Sequence, residues 1–242
     1  MIHSVIRSAI RLVRRPAAAA LLAAVAACAP HFEPAGPAVA PPRLAPDRIV
    51  AADGVELPLR VWTPEGAPRA AILGLHGMND YSNAFDGPGA HWAKAGVVTY
   101  AYDQRGFGAA PHRGIWSGHA TMAADAAAAA ALIRRRHPGL KLFVVGESMG
   151  GAVAMVADAN GTLKTDGMVL VAPALRGRRY LDAIPRAVLW LTSRTIPWYP
   201  LTGRGLRIQA SDNIPMLRAL GADPLVIKQT RIDTIRGLGD LM

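Results

Sequence analysis

The stretch from Leu140 to Ala159 constrains the fold more than any other part of the chain. Leu140 to Val145 is a short apolar run, Met149 to Ala159 has helical character, and Gly146-Glu147-Ser148-Met149-Gly150-Gly151 stands between them. A brief apolar run bounded by glycine reads as a buried strand. A Gly-x-Ser-x-Gly sequence at a strand-to-helix turn lifts the serine hydroxyl onto a sharp bend at the edge of a sheet. The glycines let the backbone pass close to its neighbours without side-chain clashes, and the helix that follows aims backbone N–H groups at developing negative charge. A chance glycine-rich turn and a phosphate-binding loop would share this pattern, and the surrounding segments decide between them. Ser148 is therefore the expected nucleophile, exposed on a tight bend across an open crevice, with the backbone N–H of Met149 as one oxyanion donor. Glu147 is assigned no role.

The surrounding segments repeat the strand-then-helix theme. Arg48 to Ala52 and Leu57 to Trp62 read as strands joined by an Asp53-Gly54 turn. Ala70 to Leu75 and Gly96 to Tyr102 are apolar enough for buried strands, and Met168 to Val171 is another. Thr121 to Arg136 reads as a helix, with Thr121 as its cap, Asp125 near its positive end, Arg134, Arg135 and Arg136 at its negative end, and Pro138-Gly139 as its stop. Strands that are apolar throughout, alternating with helices, imply an α/β architecture with a mainly parallel sheet covered on both faces. Beyond Pro173 the pattern changes: Arg176 to Met242 reads as helices and loops without a strand, a cap over the sheet's carboxyl edge.

His76-Gly77-Met78-Asn79-Asp80 follows the Ala70 to Leu75 strand. In a sheet of this kind the loop after that strand supplies the second oxyanion donor, here the backbone N–H of Met78. His76 reads as a structural residue holding that loop. Asp103 and Arg105, at the end of the Gly96 to Tyr102 strand, read as a structural turn.

Three segments together, His76-Gly77-Met78-Asn79-Asp80-Tyr81-Ser82, Tyr102-Asp103-Gln104-Arg105-Gly106-Phe107-Gly108 and Gly146-Glu147-Ser148-Met149-Gly150-Gly151, resemble the monoacylglycerol lipase and lysophospholipase group, also described as serine aminopeptidase S33-like hydrolases. The resemblance implies an α/β-hydrolase fold with a helical cap, ester hydrolysis through an acyl-enzyme, a small-molecule ester or lipid substrate, and neither cofactor nor metal. Two positions depart from the pattern. Asp80-Tyr81 stand where the group usually has Glu-His, and Ala110 where it tends to have Ser.

A serine nucleophile needs a base, and the base an orienting acid, in the order serine, acid, histidine for this fold. The last histidine of the chain is His137, upstream of Ser148. Asp212, Asp223, Asp233 and Asp240 fall in the expected cap. The sequence thus reads as a hydrolase whose acid and base are not among these residues, and as a fragment, inactive alone. The alternative is an envelope protein that uses a hydrolase-like domain to bind lipid or a partner without catalysis. In the cap, Trp190, Trp198 and Tyr199 are the candidate substrate gate, set in an apolar stretch suited to an acyl chain or to self-packing.

The first 46 residues read differently. Met1 to Arg15 is basic, and Pro16 to Ala27 is a short alanine-, leucine- and valine-rich run, the pattern of a secretory signal peptide over residues 1–27. Val25-Ala26-Ala27-Cys28 resembles the lipobox of bacterial lipoproteins, so Cys28 is the expected lipid anchor on the envelope membrane, against the plainer reading of a cleaved signal and an incidental cysteine. Residues 28–46, rich in proline and alanine, read as an extended tether. The core is then expected at 47–175 and the cap at 176–242. The net charge is +10, of which the leader arginines carry four, leaving +6 spread along the chain. With no basic stripe and no binding motif, nucleic acid is not an expected partner.

Overall fold

The computed structural model describes residues 29–203 and 211–242. Cys28, the leader and residues 204–210 lie outside the described residues.

The strands are β1 (Arg43–Leu44), β2 (Arg48–Val50), β3 (Glu56–Trp62), β4 (Ala70–Leu75), β5 (Val97–Tyr102), β6 (Lys141–Glu147) and β7 (Gly167–Val171), in one sheet of order β1-β2-β3-β5-β4-β6-β7. β1, β2 and β3 run antiparallel up to β5, while β5, β4, β6 and β7 are mutually parallel. The parallel pairs are joined by helices α1 (Asp86–Lys94), α2 (His119–Arg136) and α3 (Met149–Ala159). α2 and α3 cover one face with the larger core, which includes Leu73, Leu75, Tyr102, Met122, Ile133, Leu142, Val153 and Ala157. The other face carries a smaller cluster of Ile72, Phe85, Ala101 and Val145, packed with Trp62 and Trp92 beside α1. The expected arrangement, a mainly parallel sheet with helices on both faces, is the one observed.

Several elements depart from expectation for physical reasons. α1 was not foreseen, because Gly87-Pro88-Gly89 disfavours a helix locally. Its reason is tertiary: a Cβ at Gly89 would lie 2.5 Å from the Trp62 ring, so only glycine lets the helix approach β3. α2 begins two residues earlier than expected, and Thr121 does not cap it. Gly118 is the cap residue, and the Thr121 hydroxyl accepts a hydrogen bond from the N–H of Ala35 at 3.1 Å.

That bond belongs to the second departure. The segment expected to be a free tether lies along the domain. Glu33 N–H donates to the Trp116 carbonyl at 2.9 Å, Val39 N–H to Ala52 at 2.8 Å, and Gly36 N–H to the Asp53 carboxylate at 3.0 Å. Arg43 and Leu44 add β1 to the sheet. Proline removes donors from such a segment but leaves its other N–H groups free to pair.

The third departure is in residues 176–242. Helices α4 (Ala183–Thr195), α5 (Ile214–Ala222) and α6 (Ile232–Leu241) appear as expected, but β8 (Pro200–Leu201) pairs antiparallel with β9 (Thr230–Arg231), where no strand was anticipated. Two-residue strands are too short to leave a periodic signal. α6 also packs onto the main body. Thr234 donates to the Gly114 carbonyl at 2.8 Å, and a Cβ at Gly237 would meet the buried Trp116 ring at 2.4 Å. Among the described residues no helix is long and apolar enough to cross a membrane.

Candidate active site

β4 and β6 lie side by side in register, Leu75 opposite Gly146, so the loop after β4 and the turn after β6 emerge at the same edge of the sheet. Ser148 forms that second turn. Its backbone sits at φ 50°, ψ −111°, a conformation that non-glycine residues avoid and that persists only where the surroundings impose it. Here they do. The Ser148 N–H donates to the Val171 carbonyl at 2.9 Å, and its carbonyl accepts from Ala174 at 2.9 Å and Ala152 at 3.2 Å. The three glycines are sterically required. A Cβ at Gly146 would lie 2.7 Å from the Gly150 carbonyl oxygen, one at Gly150 would lie 2.1 Å from the Leu75 oxygen, and one at Gly151 would lie 3.0 Å from Pro173.

Ser148 is half-buried. Met149 is the first residue of α3, where a backbone N–H has no carbonyl one turn back to receive it. The N–H groups of Met78 and Met149 have no hydrogen-bond partner among the described residues. Both N–H groups are free to donate.

The loop carrying Met78 is fixed by His76, which is fully buried. Its Nε2 accepts from the Gln104 N–H at 3.0 Å, so the proton resides on Nδ1, which donates to the Gly77 carbonyl at 2.8 Å. Gln104 returns a bond from its side-chain amide to the His76 carbonyl at 2.8 Å. Burial holds the imidazole below its ordinary pKa, so it stays neutral. His76 is structural, as its sequence position suggested. Asp103 is structural too, accepting from the N–H groups of Ser82 and Ala109, both at 2.9 Å. Arg105 is clamped between the nearly buried carboxylates of Asp53 at 2.7 Å and Asp125 at 2.6 Å. Asp125 thus answers an arginine rather than a helix end.

Glu147 turns out to be part of the site's frame. A Cβ at Gly77 would lie 2.2 Å from the Glu147 carboxylate, which therefore occupies the space beneath the oxyanion loop. Burial raises its pKa, and the nearby Asp80 raises it further. Burial likewise raises Asp80. Glu147 stands at the first x of Gly-x-Ser-x-Gly, so the motif carries no signal for such a role.

The last histidine, His137, bonds the Tyr100 hydroxyl at 2.8 Å, and among the described residues no histidine hydrogen-bonds the Ser148 hydroxyl. Open clefts lie beneath the N-terminal segment, in the cap, and beside β3, β4 and α1, and Ser148 lines none of these. The flank beside it is open because β7 is an edge strand whose Val169, Leu170 and Val171 are exposed. Trp190 is about half exposed and lines a cleft of the cap, while Trp198 and Tyr199 sit in the turn between α4 and β8, also half exposed. Three aspartates of residues 176–242 have structural partners: Asp223 accepts from the Tyr81 hydroxyl at 2.7 Å, Asp233 is buried against Arg231 at 2.6 Å, and Asp240 pairs with Arg178. No group of three or more histidine, cysteine, aspartate or glutamate side chains is placed to hold a metal among the described residues.

Residues 66–242 match the family described as serine aminopeptidase, S33. The human monoglyceride lipase is 31% identical over 126 residues, covering 52% of this chain and 42% of that protein. The monoacylglycerol lipase of Mycolicibacterium smegmatis is 26% identical over 175 residues, covering 72% of this chain and 62% of that protein. The chain thus matches about two-fifths of the length of its human relative. Among solved structures, a soluble variant of the Saccharomyces cerevisiae monoglyceride lipase in complex with a substrate analogue superposes with a TM-score of 0.63 at 18% identity, over 88% of this chain and 71% of that one. The fold is that of the α/β-hydrolases.

Proposed function

The chain belongs to the serine aminopeptidase S33 family, and on that premise we propose that it is the nucleophile-bearing part of a serine hydrolase that cleaves carboxylic esters of the monoacylglycerol or lysophospholipid kind. The observation that carries this reading is the strained backbone of Ser148, φ 50°, on a bend that three glycines make possible. The names of the relatives, monoglyceride and monoacylglycerol lipases, support the substrate class.

In this reading the Ser148 hydroxyl oxygen attacks the ester carbonyl carbon while a base takes its proton. The carbonyl oxygen becomes an oxyanion received by the N–H groups of Met78 and Met149. Collapse breaks the bond to the alcohol, which leaves with the proton, and water repeats the sequence to release the acid. Each oxyanion donor contributes about 3 kcal/mol of transition-state stabilisation in comparable sites. The fixed His76 loop and the Glu147 carboxylate beneath it hold the Met78 side of that pair.

Turnover needs a base, and the described residues place none at Ser148. The test is therefore made on protein expressed from the whole open reading frame. It is expected to hydrolyse short-chain acyl esters, and Ser148→Ala is expected to remove that turnover. Unchanged turnover in the variant rejects the assignment.

Residues 1–27 are proposed as an export signal and Cys28 as a lipid-attachment residue that places the enzyme on an envelope membrane. Intact mass spectrometry of the membrane-extracted protein tests this. A mature chain beginning at diacylated Cys28 is expected, and an unmodified thiol there refutes it.

A further inference from the structure

The cap holds a cleft of about 550 Å³ between α4 and α6, closed at one side by the turn Gly177–Tyr180. Four arginines line it, Arg178, Arg179, Arg186 and Arg236, with Trp190 and Ser193. Among the described residues, one carboxylate forms ion pairs with these arginines. Asp240 pairs with Arg178, and its other oxygen lies 3.7 Å from the Arg236 Nε, too far for a hydrogen bond. Arg179 and Arg186 have no acidic partner among the described residues. Four guanidinium groups therefore share one negative charge, and the Nε–H groups of Arg178 and Arg236 are buried without an acceptor.

The cleft is built rather than casual. Ser193 is fully buried, donates to the Trp190 carbonyl at 3.1 Å, and receives Arg236 Nη1 at 3.2 Å, so it fixes the arginine that projects from α6. Arg194 lies over the Trp190 ring, 4.5 Å from its centroid, and orients the indole while adding charge nearby. Burial and the neighbouring Arg194 hold Arg236 below its ordinary pKa, the effect of crowded cations that a bound anion would relieve. Guanidinium forks match the tetrahedral oxygens of phosphate in pairs, which gives geometric selectivity as well as charge. Ala183, Ala187 and Leu189 supply an apolar wall beside the arginines, suited to the carbons next to an ester-linked phosphate.

We propose that this cleft is a binding site for a phosphate ester, taking the phosphate oxygens on Arg178, Arg179, Arg186 and Arg236. The inference deepens the reading of Ser148 as an esterase nucleophile, since it narrows the substrate class to esters that carry an anionic phosphate headgroup. The chain between the two places is short. Ala174 bonds the Ser148 carbonyl, and Arg178 is four residues further on, so the α carbons of Ala174 and Arg178 lie within about 14 Å of each other.

The test uses full-length Ser148→Ala protein, so that binding is read without turnover and its outcome is independent of the catalytic assignment. Calorimetric titration with sn-glycerol 3-phosphate probes the free phosphate ester. Flotation with phosphatidylcholine vesicles, with and without phosphatidylglycerol, probes a headgroup in a membrane. Saturable, one-to-one binding of glycerol 3-phosphate is expected, weakened about tenfold or more in Arg179→Gln/Arg186→Gln and partly restored in Arg179→Lys/Arg186→Lys. Both arginines are exposed, so these variants fold. Arg43→Gln/Arg135→Gln, which removes equal charge from other exposed positions, is expected to bind like the parent. Absence of saturable glycerol 3-phosphate binding overturns the proposal, even if anionic vesicles are captured, because that pattern describes a diffuse surface attraction. Equal losses in the cleft and control variants overturn it as well. Vesicle capture that falls with the cleft variants, together with glycerol 3-phosphate binding, identifies the membrane headgroup as the source. Glycerol 3-phosphate binding without vesicle capture identifies a soluble phosphate ester.

Discussion

Gly150 lies directly beneath the carbonyl oxygen of Leu75, so close that a Cβ on it would stand 2.1 Å from that oxygen. Through this contact the end of β4 and the start of α3 form one block, and the serine turn cannot move without the oxyanion loop. Gly150→Ala must push backbone against backbone. A loss of about 2–4 kcal/mol is expected, read as a fall in the urea unfolding midpoint, and a change within 0.5 kcal/mol or so would show the contact to be soft.

The strain at Ser148 makes a separate prediction. Its φ of 50° suits glycine and opposes any residue with a Cβ. Ser148→Gly is expected to stabilise the protein by about 1 kcal/mol over Ser148→Ala, since alanine keeps the strain and glycine releases it. Thermal or urea unfolding of the two variants decides this, and equal stability would mean the bend is unstrained.

Arg105 joins Asp53 and Asp125 across three elements, with side chains only 8%, 5% and 10% exposed. Arg105→Ala leaves two carboxylates buried together, at an expected cost of about 3–5 kcal/mol near neutral pH. The Arg105 hydrogen bond holds Asp53 down to about 2, below its ordinary 3.8. Its share of the stability is therefore present above pH 3.8 and is lost as pH falls toward 2. The gap between parent and variant should narrow over that window. A gap that widens with acid contradicts the assignment.

Glu147 titrates in the opposite sense. Burial raises its pKa above 4.5, so the folded state favours the protonated form. The stability it contributes is whole below pH 4.5 and declines as pH rises through the folded value. Urea unfolding at a series of pH values should show the parent losing ground to Glu147→Gln between pH 4 and 8. Parallel curves would place the carboxyl in solvent.

Much of this was readable from residues. The parallel strands announce themselves because they are buried on both faces, which leaves apolar runs such as Ala70 to Leu75 with matching boundaries in the fold. The Ser148 turn is readable because its chemistry demands glycines at fixed offsets. What escaped notice rests on tertiary contacts that leave no local pattern. Gly87-Pro88-Gly89 reads as a loop until Trp62 is seen against it. Thr121 reads as a cap until Ala35 claims its hydroxyl. The proline-rich segment reads as a tether because pairing with Ala52 and Trp116 is invisible in composition. The gate residues stand out as aromatics in an apolar stretch, while Arg178, Arg179 and Arg186 before them and Arg236 after them, which read as solvated surface, line one cleft.

The most direct test of the account is covalent capture of the serine. Protein from the whole reading frame would be treated with a fluorophosphonate ester, digested, and examined by tandem mass spectrometry. A single phosphonylated site at Ser148, formed in step with loss of esterase turnover, is the predicted result. Loss of turnover with the adduct on another residue, or full turnover with Ser148 modified, would contradict it.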